Sequence, residues 1–127
     1  MMLFNDLLLI DDDEDDQDIF LTAIQSISTS VKSKIFDNGV EALEQLSAKV
    51  IIPDVIFLDL NMPLMNGQQF LVEIKKNSEL KHIPVIIFST SSHHATKQLM
   101  KDLGAHDFIT KPDRFDELVN LLKPLFT

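Results

Sequence analysis

The feature that most constrains the fold is a pair of apolar segments, 54–59 and 84–89, that are rich in β-branched residues. Strands covered on both faces have this character, because a strand with one face in water alternates apolar and polar residues. Segment 7–10 is similar, whereas segments 34–37 and 107–110 are shorter and more polar, as is typical of edge strands. The sequence therefore predicts five strands.

Helical patterns follow each of these strands. Apolar residues recur at the 3.6-residue spacing of an amphipathic helix in five stretches: 19–27, 42–46, 70–74, 99–103 and 115–122. Strict alternation of strand and helix predicts an α/β fold with a parallel sheet, right-handed crossovers and helices on both faces.

Turn and cap residues support these boundaries. Gly39 and Gly67 each follow an asparagine at the start of a predicted helix, and Gly104 is placed to end the fourth helix in a left-handed conformation. Pro124 should either kink or end the last helix, and the sequence leaves both open.

The size and composition of the chain indicate one compact domain. At 127 residues we expect a single domain over 1–127 with no output domain. The chain has no cysteine and no cationic N-terminal signal segment, which favours a cytoplasmic protein. No apolar run approaches the roughly 20 residues that cross a bilayer, so no membrane association is expected.

The negative charge is concentrated in one place. Six of the 20 acidic residues lie in the segment 11–16, and without them 14 acids stand against 11 basic residues. This local excess points to a site rather than to a generally acidic surface. No basic patch is present to neutralise phosphates, so we expect no nucleic-acid partner.

Polar side chains follow four of the five predicted strands. Asp11 and Asp12 follow the first, Asp59 the third, Ser89 the fourth and Lys111 the fifth. In open parallel sheets, ligands bind at the carboxyl ends of the strands, so these side chains are expected to converge. Three adjacent carboxylates repel one another unless a cation joins them.

This set of residues predicts phosphoryl chemistry with a metal ion. Mg²⁺ suits best, because it prefers a few carboxylates together with a phosphate oxygen. Asp11, Asp12 and Asp59 would hold it, with the backbone carbonyl of Asn61 completing the shell. Asp59 would be the nucleophile that forms an acyl phosphate. Lys111 and the Ser89 hydroxyl would bind phosphoryl oxygens.

Four short motifs, in order and in spacing, resemble those of response-regulator receiver domains over nearly the whole chain. They are Ile-Asp-Asp at 10–12, Asp-Leu-Asn-Met-Pro at 59–63 followed by Gly67, Phe-Ser at 88–89 and Lys-Pro at 111–112. The resemblance implies a flavodoxin-like fold with strand order 2-1-3-4-5. It also implies that Asp59 takes its phosphoryl group from a phosphohistidine of a sensor histidine kinase. Such a domain is not an enzyme on other substrates and catalyses only its own phosphorylation and dephosphorylation.

The same resemblance implies further details. The peptide between Lys111 and Pro112 would be cis. Phe108 would be the switch aromatic whose ring moves inward when Ser89 shifts toward the phosphoryl group. The acidic segment 11–16 and the polar segment 89–92 resemble the short regulators that partner phytochrome-type kinases.

The partners that follow are proteins. We expect a sensor histidine kinase and either a downstream target or a phosphotransfer protein, contacted through the fourth helix, fifth strand and fifth helix, a face that could also form a homodimer. Phe115, Leu118 and Leu122 are candidates for exposure on that face, although core packing explains them equally well.

Each candidate residue also has a plainer explanation. The acidic residues 13–16 would only cap the first helix and complement its dipole. His82, His93, His94 and His106 show no metal-ligand spacing and should be exposed. The competing function is a docking module that works without phosphorylation. A magnesium phosphohydrolase of the haloacid dehalogenase type is disfavoured, because its Asp-x-Asp-x-Thr signature is missing.

Overall fold

The computed structural model describes residues 4–127, which alternate strands and helices. The five strands are β1 (Asp6–Ile10), β2 (Lys32–Phe36), β3 (Val55–Leu58), β4 (Val85–Ser89) and β5 (Asp107–Thr110). The five helices are α1 (Glu14–Ile27), α2 (Gly39–Ser47), α3 (Gly67–Lys76), α4 (His94–Asp102) and α5 (Phe115–Phe126). All five predicted strands and all five predicted helices are therefore confirmed, with ends that differ by a few residues. None of the helices in 4–127 is long and apolar enough to span a membrane.

The strands form one parallel sheet in the order β2-β1-β3-β4-β5. This is the order that the resemblance implied. The central strands β1, β3 and β4 are almost entirely buried, while Lys32 and Lys34 of the edge strand β2 are exposed. The continuous apolar character of 54–59 and 84–89 is thus explained by helices that cover both faces of the sheet.

Alternate residues of the central strands supply two separate cores. Leu8, Ile56 and Ile87 pack on one face against a cluster from α2, α3 and α4 that includes Phe70. The neighbouring residues of each strand point to the other face, where α1 and α5 contribute their apolar stripes. Phe20 of α1 lies at the centre of this second core, with its ring centroid 5.0 Å from that of Phe57 and 5.4 Å from that of Phe88.

The helix ends are set by the residues that the sequence singled out. Asp13 caps α1 by accepting a hydrogen bond from the backbone N–H of Asp16 at 3.0 Å. Asn66 and Gln69 form a capping box at the start of α3. Gly104 has φ of 104° directly after the last turn of α4, where a side chain would be strained.

Two proline expectations are now resolved. Pro124 does not end the last helix, because α5 continues to Phe126. The expected cis bond between Lys111 and Pro112 is wrong for this structure, since no cis peptide occurs in 4–127. Trans is the lower-energy isomer of a peptide bond before proline, by about 0.5–1 kcal/mol.

A close contact between α3 and the end of β3 predicts that Gly67→Ala is destabilising. A Cβ at Gly67 would overlap the Asp59 carbonyl oxygen and lie 2.8 Å from the Cα of Leu60, both of which are backbone atoms. We expect a loss of about 2 kcal/mol or more in the free energy of unfolding, measured by urea denaturation. Gly39→Ala is the matched control at the first residue of α2. Its Cβ would meet only side chains, the nearest being Phe70 at 3.3 Å, so a change below about 1 kcal/mol is expected. Equal losses in both variants would contradict this account.

Candidate functional site

The sheet register brings the residues after the strands to one edge. The backbone N–H of Asp59 donates to the carbonyl oxygen of Ile10 at 3.0 Å, which places Asp59 beside Asp11. The backbone N–H of Lys111 donates to the carbonyl oxygen of Ser89 at 2.7 Å. The predicted meeting of these residues at one edge of the sheet is therefore found in the structure, with parallel pairing of the backbone as its cause.

Three carboxylates form the negative side of this edge. Asp11, Asp12 and Asp59 each offer one oxygen, and these oxygens lie within 4.8 Å of one another. Asp11 and Asp59 are buried, with 1% and 7% of their surface exposed, while Asp12 faces solvent. Such a group of hard oxygen atoms, two of them removed from water, fits a divalent cation that retains some of its own waters.

The Lys111 ammonium lies among the same carboxylates. Its Nζ donates to Asp11 Oδ2 at 2.9 Å and to Asp16 Oδ2 at 2.8 Å, and lies 3.8 Å from Asp59 Oδ1. The side chain is 10% exposed and its Nζ is also 5.5 Å from the centroid of the Phe88 ring. The lysine is thus held as a fixed positive charge next to Asp59.

Asp16 is a member of the site that the acidic run did not reveal. The pattern predicts only capping for residues 13–16, which is correct for Asp13 but incomplete for Asp16. The signal that could have found it is its place in the first turn of α1, which begins close to the end of β1. The same turn is tied to the site by Gln17, whose side-chain amide donates to the Asp11 carbonyl oxygen at 2.6 Å.

Burial and charge together shift the proton equilibria of the site. The pKa of Asp59 is raised to about 6, mainly by burial and also by the neighbouring Asp11 charge, and Lys111 opposes both effects. Burial also raises the pKa of Asp11, although Lys111 and the backbone N–H of Asp13 counteract it. For Lys111, burial disfavours the ammonium, yet hydrogen bonds to Asp11 and Asp16 outweigh it and raise the pKa. The lysine therefore remains charged at neutral pH.

The remaining predicted residues lie around this centre. Ser89 is fully buried as the last residue of β4, and its Oγ accepts a long hydrogen bond from the backbone N–H of Ser91 at 3.4 Å. Phe108 is half-buried in β5, with the Lys97 Nζ 5.7 Å from its ring centroid. Asn61 is exposed in the loop between β3 and α3.

Two further expectations concern residues away from the centre. His82, His93, His94 and His106 are all exposed, as predicted. Phe115 is 45% exposed, but Leu118 and Leu122 are buried at 3% and 0%. Core packing, one of the two explanations that the sequence left open, is therefore correct for both leucines.

Comparison with known families decides what kind of domain this is. The model of the response regulator receiver domain matches residues 7–123. The chain belongs to this family. It is a phosphoryl-accepting receiver domain of two-component signalling, which confirms the resemblance of its motifs.

Solved structures of short regulators are similar over nearly their whole length. The phosphorylated cyanobacterial phytochrome response regulator RcpA is 31% identical with a TM-score of 0.86, and the match covers 94% of this chain and 89% of that one. The Mn²⁺-bound form of response regulator Rcp1, a protein of Synechocystis, is 26% identical with a TM-score of 0.84, over 94% of this chain and 90% of the other.

Larger proteins match only through a part of their length. A probable cyclic di-GMP phosphodiesterase of Vibrio cholerae is 36% identical over 83% of this chain, which corresponds to 23% of that relative. The chain spans less than a quarter of the length of the larger curated relatives that it matches.

The raised pKa of Asp59 predicts how stability depends on pH when divalent ions are chelated. A carboxyl group whose pKa is higher in the folded state than in the unfolded state favours folding at low pH. This contribution is lost as the pH rises from about 4 through about 6. Asp59→Asn removes the buried charge. We therefore expect the free energy of unfolding of the variant to exceed that of the parent by about 1–3 kcal/mol at pH 7.5, and by much less at pH 4.5.

The measurement is urea denaturation in EDTA at both pH values. Asp113→Asn, a change at an exposed carboxylate, is the control and should show little pH-dependent difference. An Asp59→Asn variant with the same stability difference at both pH values would contradict the assigned charge state.

Proposed function

We propose that Asp59 is the phosphoacceptor of this receiver domain and that the phosphoryl group comes from a phosphohistidine of a sensor histidine kinase. The observation that carries the proposal is the position of the buried Asp59 carboxylate, which lies in one cluster with Asp11 and Asp12 and 3.8 Å from the Lys111 ammonium. Asp11, the other buried carboxylate of the cluster, is already hydrogen-bonded to Lys111 at 2.9 Å, whereas Asp59 follows β3, the strand that pairs with β4 and its terminal Ser89.

The proposed chemistry is an in-line transfer of the phosphoryl group. An Asp59 carboxylate oxygen attacks the phosphorus in line, the phosphorus–nitrogen bond to the donor imidazole breaks, and its electron pair leaves with the imidazole nitrogen. Lys111 stabilises one phosphoryl oxygen by charge, and the Ser89 hydroxyl donates to another. Hydrolysis by water later restores the carboxylate, so the domain catalyses only its own phosphorylation and dephosphorylation.

Mg²⁺ is the proposed cofactor. Asp11, Asp12 and Asp59 would hold it together with the backbone carbonyl of Asn61, because the ion prefers hard oxygen ligands and keeps several waters. When bound, it neutralises charge that develops on the transferring group. The buried pair Asp11 and Asp59 fits this role, since two carboxylates out of water repel each other without a counter-charge.

The output is proposed to be a change in a protein-interaction face in the cytoplasm. A shift of Ser89 toward the phosphoryl group would open space for the half-buried Phe108 ring, which would move inward from its place near Lys97. That movement would alter the surface of α4, β5 and α5, for which a downstream target, a phosphotransfer protein or a second copy of the chain is the proposed partner.

Incubation with acetyl phosphate and MgCl₂, followed promptly by intact-mass measurement, tests the acceptor. We expect a gain of one phosphoryl unit, because Lys111 and a bound Mg²⁺ would offset the carboxylate charge and bind oxygens of the donor at Asp59. The gain should disappear in Asp59→Asn and in EDTA. A gain that persists in Asp59→Asn would show that another residue is the acceptor.

The output face has its own test. Hydrogen–deuterium exchange with and without beryllofluoride should change in 94–126, because the proposed switch residues lie in β4 and β5 beside α4. Ser89→Ala should bind the analogue yet show a smaller change in this range. Changes confined to the loops around Asp59, or partner binding that is unaffected by Asp59→Ala, would instead favour a docking module that works without phosphorylation.

A further inference from the structure

Asp16 competes for the ammonium that the phosphoryl group needs. The Lys111 Nζ has three hydrogens to donate, and two of them are directed to Asp11 and Asp16, at 2.9 and 2.8 Å. Asp59 is the most distant of the three carboxylates, at 3.8 Å. In this state, therefore, the lysine is bonded to the start of α1 more closely than to the acceptor.

Asp16 is held in place by its own helix. Its backbone N–H donates to the Asp13 side chain, so the first turn of α1 is capped at this residue. Its side chain is 35% exposed, whereas that of Lys111 is 10% exposed. The pair is thus partly shielded from water and is stronger than an ion pair at the surface.

The two partners of Lys111 differ in how easily they can release it. Asp11 is 1% exposed, and leaving its carboxylate unpaired would cost the full desolvation penalty of a buried charge. Asp16 is far more exposed, so water can replace the ammonium there at low cost. A phosphoryl group on Asp59 brings new negative oxygens to the side of Lys111 that already faces Asp59. Asp16 is therefore the partner that the lysine exchanges.

We propose that Asp16 is a positioning residue: it holds Lys111 beside the acceptor before phosphorylation and yields it to the phosphoryl group afterwards. This inference rests on the proposed role of Asp59. Each phosphorylation event then includes the loss of one ion pair, which lowers the affinity of the site for phosphoryl groups. The strength of the Asp16 contact would set how readily the domain reaches the phosphorylated state.

The test compares two variants that remove the same charge from the same helical turn. Asp16→Asn loses the ion pair, whereas Asp15→Asn changes an exposed carboxylate that makes no hydrogen bond or ion pair to another described residue. Both variants lose one negative charge from the first turn of α1 and thus a similar favourable interaction with the helix dipole. The resulting changes in stability cancel when the two variants are compared. Both variants leave Asp59, Asp11 and Lys111 themselves unsubstituted.

The first readout is the affinity for beryllofluoride at constant MgCl₂, measured by NMR titration. We expect Asp16→Asn to bind it about 3- to 10-fold more tightly than Asp15→Asn, the range that corresponds to one partly shielded ion pair. Asp15→Asn should remain within about 2-fold of the parent. Equal or weaker binding by Asp16→Asn than by Asp15→Asn would overturn the proposal.

The second readout needs neither metal nor phosphoryl analogue. The ¹³Cε and ¹⁵Nζ resonances of Lys111 in EDTA should move in Asp16→Asn and stay in place in Asp15→Asn. If Lys111 is insensitive to Asp16, the ion pair does not exist and the inference fails. If Lys111 responds but the parent neither binds beryllofluoride nor accepts phosphate from acetyl phosphate, the proposed function of Asp59 fails instead.

Discussion

The site depends on one electrostatic constraint: buried carboxylates at neighbouring strand ends must be given positive charge. Asp11 and Asp59 are both removed from water, and burial alone raises the pKa of each. Lys111 supplies part of the charge from the far end of the chain, and a divalent cation among the carboxylates would supply more. The fold keeps these acids close in spite of their repulsion, which destabilises the folded state. Binding of a cation relieves that repulsion and so stabilises the fold.

Parallel pairing is what makes this arrangement possible. Residues more than 90 positions apart in sequence, such as Asp16 and Lys111, meet because every strand of the sheet ends at the same edge. The close approach of Gly67 to the backbone at Asp59 holds the start of α3 against that edge. The two cores on either side of the sheet then secure the strands, so the position of each site residue follows from packing far from the site.

Much of this could be predicted from the sequence, and the exceptions have physical reasons. Local patterns encode the strands and helices, because apolar periodicity is a short-range feature. The residues that directly follow a strand can be read in the same way, which is how Asp11, Asp59 and Lys111 were found. Asp16 was missed because its capping role and its ion pair have the same local signature, and only the tertiary distance to Lys111 separates them. The burial of Leu118 was left open for a similar reason, since periodicity identifies the apolar face of a helix without saying what covers it.

The differing exposure of the acids bears on how one pocket could hold a cation and a phosphoryl group together. Asp11 and Asp59 have little access to water, so their partners can change only when another charge takes the place of the first. Asp12 is exposed and Asp16 partly so, and both can exchange a protein or metal partner for water at small cost. The phosphoryl group would add negative charge where three carboxylates already lie, and the ammonium can offset part of that charge by turning toward it. The less buried acids can therefore release a cationic partner to the phosphoryl group, because water solvates their carboxylates afterwards. The buried pair Asp11 and Asp59 can then keep its own positive partners.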